Sequence, residues 1–186
     1  MTEAVAIDTS ATTPTVVDRF RTAGVRPLLW VSLGVLVAAG AMRIWIIRSP
    51  IGSVNADEAM SGLMARALLD GDFSTFYWQQ QYGGTIELVP FAAMLAVLGD
   101  HAAITVLPLL ETVVIGVLLY LIARRRIGGQ YALATVALAA VFPAASVWFT
   151  TRAMLFYQPT MIAGLGALVL VAKVAFFAAG RRLGNN

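Results

Sequence analysis

Residues 102–126 read AAITVLPLLETVVIGVLLYLIARRR: apolar for most of the way from Ala102 to Ala123, carrying one carboxylate at Glu111, and closing on Arg124, Arg125 and Arg126. A bilayer core about 30 Å thick takes roughly 20 apolar residues of helix, so this stretch is long enough to cross a membrane and stops on cations that lipid rejects. Working outward, three more stretches have the same length and character: Leu28 to Ile47, Gln130 to Phe149, and Thr160 to Ala179. With 59% of its residues apolar and 12% charged, a chain of 186 residues has more hydrophobic surface than a water-soluble core of that size hides.

The arginines set the topology. Arg19, Arg21 and Arg26 precede the first span, Arg124 to Arg126 follow the second, and Arg181 and Arg182 follow the last. The positive-inside rule places all three clusters in the cytoplasm. An even number of crossings must therefore separate each cluster from the next, and the apolar segment Ile86 to Leu98 must not cross. Its length agrees, since about 13 helical residues reach only about 20 Å. The expected fold is all-α and integral to the membrane, with four transmembrane helices and two interfacial helices in the first outer loop. Residues 1–27 form a disordered cytoplasmic lead-in, residues 28–182 the membrane domain, and residues 48–101 the outer loop. The expected location is the cell (inner) membrane, with both termini cytoplasmic. A cleaved signal peptide ending at Ala39-Gly40-Ala41 explains less, because hydrophobicity continues through Ile44 to Ile47.

Several chemistries drop out. The basic residues cluster beside spans rather than forming a continuous surface, which argues against nucleic acid as a partner. There is no cysteine, and His101 is the single histidine, so thiolate chemistry and a histidine zinc site are excluded.

The outer loop holds most of the carboxylates. Ser53-Val-Asn-Ala-Asp57-Glu58-Ala-Met60 opens a helix that runs to about Leu69 and stops at Asp70-Gly71. Ala59, Met60, Leu63, Met64, Ala67 and Leu68 share one face, with Asp57, Ser61 and Arg66 off it, the pattern of a helix lying on a membrane surface. Gly71 suits the left-handed closing position. Asn55 and Glu58 have capping-box spacing, which offers Glu58 a purely structural role. Asp57 is not needed for that cap and is the better candidate for chemistry.

From Met42 to Lys173 the chain resembles the N-terminal part of the bacterial protein O-mannosyltransferase-like glycosyltransferases, C-type superfold enzymes with lipid-phosphate sugar donors. The resemblance rests on an ordered set of elements: Arg43 at the end of the first span, Asp57-Glu58-Ala59, Gly71-Asp72-Phe73, Phe76-Tyr77-Trp78, Tyr82-Gly83-Gly84, Glu87, Leu107-Pro108, and Arg124-Arg125-Arg126-Ile127-Gly128. Two departures stand beside it. Many relatives carry an acidic residue after the second-loop arginine, where Arg152 is followed by Tyr157-Gln158-Pro159; and relatives are much longer, which implies that this chain is the front portion of such an enzyme.

The resemblance implies inverting transfer of a sugar from a polyprenyl-phosphate donor to a hydroxyl on an acceptor glycan, lipid or protein at the outer face. Asp57 would be the base and Glu58 would position it or the acceptor. Arg66 and Arg152 are outer-face cations able to hold phosphate, because guanidinium matches phosphate oxygens in a bidentate fashion. Headgroup contact or snorkelling is the plainer reading of both. Tyr77, Trp78 and Tyr82 offer faces for a sugar ring, although aromatic residues gather at membrane interfaces regardless. Glu87 joins the substrate-binding candidates. No certain cofactor emerges; a divalent metal on Asp57, Glu58 and Glu87 stays open, with few ligands for a cage. Glu111, deep in a span, is either functional or paired with Arg43 or Lys173. The rival functions are a small transport component, with Glu111 lining a pathway and Pro108 as hinge, and a non-catalytic assembly subunit.

Overall fold

The computed structural model describes residues 16–80, 83–141, 147–148, 150–153 and 157–183. Among them the chain is helical, without a named strand. Helix α1 (Val16–Arg48) leads through a 3-10 turn (Pro50–Gly52) to α2 (Ala56–Leu69), then α3 (Leu88–Leu98), α4 (Asp100–Ile127), α5 (Gly129–Val141) and α6 (Tyr157–Leu183). Three helices are long and apolar enough to cross a membrane: α1 over Arg26–Arg48, α4 over its whole length, and α6 over Tyr157–Ala175. Their large side chains are exposed in a way that water would penalise, Val37, Val113, Leu168 and Val171 among them, and lipid accommodates these faces. The described part of the stretch expected to be the third span is α5, shorter than the other three; residues 142–146 lie outside the description.

Helix α4 is the centre of the bundle. It packs on α5, α6 and α3, while α1 packs on α5 and α2 on α3. Because α3 is too short to cross, its place is set by its neighbours instead: Leu88, Phe91 and Ala92 are buried against Met64 and Ala65 of α2 and Ala103 and Leu107 of α4. Gly99, at φ +80°, lets the chain close α3 and open α4 with no intervening loop.

The expected bounds of α2 hold: Asn55 caps it and Asp70 ends it, followed by Gly71 at φ +91°, a left-handed conformation that costs glycine least. The apolar face expected to lie on a membrane is only partly covered by protein, Met64 being buried and Met60, Ala67 and Leu68 half-buried. Ser61, Met64 and Ala65 are buried, whereas Ala59 and Leu63 are exposed. The partner that selects this face is α3 on one side, not lipid alone.

The end of α1 is tied back sharply. Gly52 donates its backbone N–H to Ser49 O (2.9 Å), and a Cβ at Gly52 would lie 2.7 Å from Ile47 Cα. Between α2 and α3 the loop folds on itself: Tyr77 N donates to Gly83 O at 3.2 Å, Phe76 and Gly84 form an antiparallel bridge, and Thr85 Oγ1 donates to Ser74 O.

Candidate functional site

The adjacent carboxylates at the start of α2 have separate fates. Glu58 completes the capping box: its backbone N–H donates to Asn55 Oδ1 at 2.8 Å, and its Oε2 accepts from Asn55 N at 3.0 Å. The same Oε2 accepts from Arg152 Nη1 at 2.9 Å, with both side chains almost fully buried. Arg152 continues inward, donating to Ile51 O (2.7 Å) and Ser53 O (3.3 Å), and its guanidinium lies 3.9 Å from the centre of the Trp148 ring. One arginine thus ties the second loop to residues 51–58. A buried, multiply bonded ion pair of this kind holds geometry more than it adds net stability, but losing one partner strands a charge.

Asp57 is exposed, and its carboxylate has no hydrogen bond or ion pair among the described residues. The backbone beneath it is fixed: Asp57 O accepts from the Tyr77 hydroxyl at 2.8 Å and from Ser61 Oγ at 2.8 Å. Burial, the main cause, raises the Tyr77 hydroxyl above its ordinary range, so Tyr77 stays protonated and keeps donating. A free carboxylate on a rigid helix start, flanked by a committed one, is suited to accepting a proton from a bound hydroxyl.

Arg66 stays at the surface of α2 and pairs with Asp100 at the start of α4, its Nε donating to Oδ1 at 3.1 Å and Nη2 to Oδ2. The hydrogen bond to Asp100 is the first cause of its raised pKa. Tyr82 lies outside the described residues.

Glu87 is not at the surface. It sits ahead of α3, 1% exposed, with neither carboxylate oxygen hydrogen-bonded to a donor among the described residues. Its neighbour is Glu111 of α4, and burial first, then that second carboxyl, push Glu87 up to about 9. Both causes favour its neutral, protonated form. Glu111 thus meets a carboxyl from the loop instead of Arg43 or Lys173. Arg43 bonds neutral groups: Thr150 Oγ1 at 3.1 Å, Ala39 O at 3.1 Å and Ala140 O at 2.9 Å.

Comparison with known proteins returned no matching family model, no matching curated protein and no matching solved structure. The site is thus argued from its own residues. Asp57, Glu58 and Arg152 come together around the start of α2, Arg66 stands on the same helix a few turns on, and Glu87 belongs to a separate buried pair. The three carboxylates considered for a metal are dispersed between these environments, and among the described residues no group of three or more His, Cys, Asp or Glu side chains is placed to hold a metal ion.

Sequence reading missed two participants. Asp100 is 34 residues from Arg66, beyond any local spacing rule. Gln158, 1% exposed, donates to Pro108 O at 3.2 Å and Thr112 Oγ1 at 3.4 Å. Its one sequence signal is a glutamine at the mouth of an apolar helix, opposite a proline carbonyl in another.

Proposed function

We propose that this chain forms part of a membrane glycosyltransferase that moves a sugar from a polyprenyl-phosphate donor to an acceptor hydroxyl at the outer face, with inversion. The single observation that carries the reading is the division of the Asp57-Glu58 pair into one exposed, unpartnered carboxylate and one built into the helix cap. In this reading Asp57 takes the hydroxyl proton as the acceptor oxygen bonds to the anomeric carbon. The bond from that carbon to the phosphate oxygen breaks, and the phosphate leaves with the electron pair. Arg66, exposed and paired with Asp100, stands about 14 Å further along the same helix and is the candidate cation for that phosphate. Arg152 serves as a positioning residue through Glu58. In this reading the chain crosses the inner membrane four times, with both termini and all arginine clusters on the cytoplasmic side; of the third span, expected over 130–149, residues 142–146 and 149 lie outside the described residues.

The test is transfer from a labelled polyprenyl-phosphate sugar in membranes holding the complete gene product. Asp57→Asn abolishes transfer while the protein inserts normally; unchanged turnover removes Asp57 as base. Glu87→Gln weakens transfer without abolishing it, because Glu87 acts from behind the loop.

A transport role is the second reading, favoured by the buried Glu87–Glu111 carboxyl pair linking the loop to a span. It predicts the reverse pattern: Glu111→Gln stops solute or proton flux in liposomes, and Asp57→Asn is silent.

A further inference from the structure

Arg43 is a cation in the apolar part of α1 with no carboxylate within ion-pair distance among the described residues. Its three hydrogen bonds go to a hydroxyl and two backbone carbonyls, so its charge is uncompensated. Isolated charge at membrane depth is expensive and marks function by default.

Arg43 also lines a cavity of about 550 Å³ between α1, α4 and α5. Arg43, Thr112 and Thr150 form the end towards the loops, and Leu36, Tyr120 and Leu133 line the far end. The polar end is a layer of its own: Thr112 Oγ1 donates to Pro108 O at 2.8 Å and lies 3.3 Å from Thr150 O, and Gln158 donates to Thr112. Below it the walls are almost wholly apolar. Along α4 the lining runs from Leu109 to Tyr120, which is about 16 Å of helix.

The geometry points to a binding site for an anionic glycerophospholipid, its phosphate at Arg43 and one acyl chain in the groove. Two features select this occupant. Arg43 supplies the unmatched positive charge and N–H groups beyond those already engaged, in the planar form that fits phosphate. The apolar slot is about 16 Å long, which suits an acyl chain rather than a polyprenyl chain several times longer. The inference rests on the membrane-spanning reading of α1 and α4 and is independent of the chemistry at Asp57.

Lipid retention on the intact protein, read by native mass spectrometry after exchange into micelles with phosphatidylglycerol, phosphatidylcholine or polyprenyl monophosphate, tests it. Wild type retains phosphatidylglycerol over phosphatidylcholine by roughly tenfold, because both carry a phosphate but only the first brings the net negative charge that offsets Arg43. Arg43→Gln removes that preference and Arg43→Lys keeps part of it. Gly40→Leu leaves the arginine in place but fills the groove, because Gly40 lines the cavity and a Cβ there meets nothing within 4 Å; it reduces retention of phosphatidylglycerol while cooperative unfolding persists. Equal retention of the two phospholipids by wild type, or no retention of either, overturns the site. Preferred retention of polyprenyl monophosphate overturns the stated occupant. Should Arg43→Gln fail to fold, the headgroup comparison on wild type and Gly40→Leu decide the matter.

Discussion

At the scale of single residues, the account turns on how neighbouring charges are spent. Glu58 and Arg152 form a buried pair, so removing either partner strands the other and costs about 3 kcal/mol or more. Glu58→Gln and Arg152→Gln should each lower the thermal midpoint in micelles, and the double variant should be less damaged than the two losses summed. Asp57→Asn, at an exposed and unpartnered position, should change stability by less than about 0.5 kcal/mol. Glu87 adds a pH dependence. Its folded pKa, about 9, lies above the ordinary value of 4.5, so the folded state holds a proton that the unfolded state releases. The stability this provides is complete below about pH 4.5 and is lost as pH rises towards 9. Midpoints measured at pH 5, 7 and 9 should fall in that order, and Glu87→Gln should flatten the trend; a trend unchanged in the variant places the titrating group elsewhere.

At the scale of elements, short-range signals were legible and long-range ones were not. The start and end of α2 follow from Asn55, Glu58 and Gly71, each acting within one turn of its own position. The shortness of α3 follows from the length of its apolar run. The burial of Ser61, which lies off the apolar face of α2, is not legible from periodicity, because periodicity does not say where a neighbouring helix will pack. Likewise Arg66 with Asp100, Glu58 with Arg152 and Glu87 with Glu111 are meetings between distant segments, and no spacing rule reaches across them. The turn after α1 offers a clean test at this scale. Gly52 allows the chain to pass close to Ile47, so Gly52→Ala must push that turn outward and should cost about 1–3 kcal/mol. It should also loosen residues 51–58, read as faster amide exchange at the first turn of α2; unchanged exchange there would mean that the turn does not position the site.

At the scale of the whole molecule, the described residues form an all-helical body with three helices fit to cross a membrane, and the account places the Asp57 loop on the face opposite the arginine clusters. Under the proposed function a polyprenyl-linked sugar and its acceptor would both meet Asp57 on that one side, so the separation is decisive for it. Because the chain has no cysteine, single-cysteine labelling can test it without background. Thr75→Cys reports the outer loop, Arg125→Cys the loop between α4 and α5, and Asn185→Cys the C-terminal end. With a membrane-impermeant maleimide on intact cells, the account predicts that position 75 labels at once and that positions 125 and 185 label only after permeabilisation. Labelling of 125 from outside, or of 75 and 185 on the same side, would contradict it.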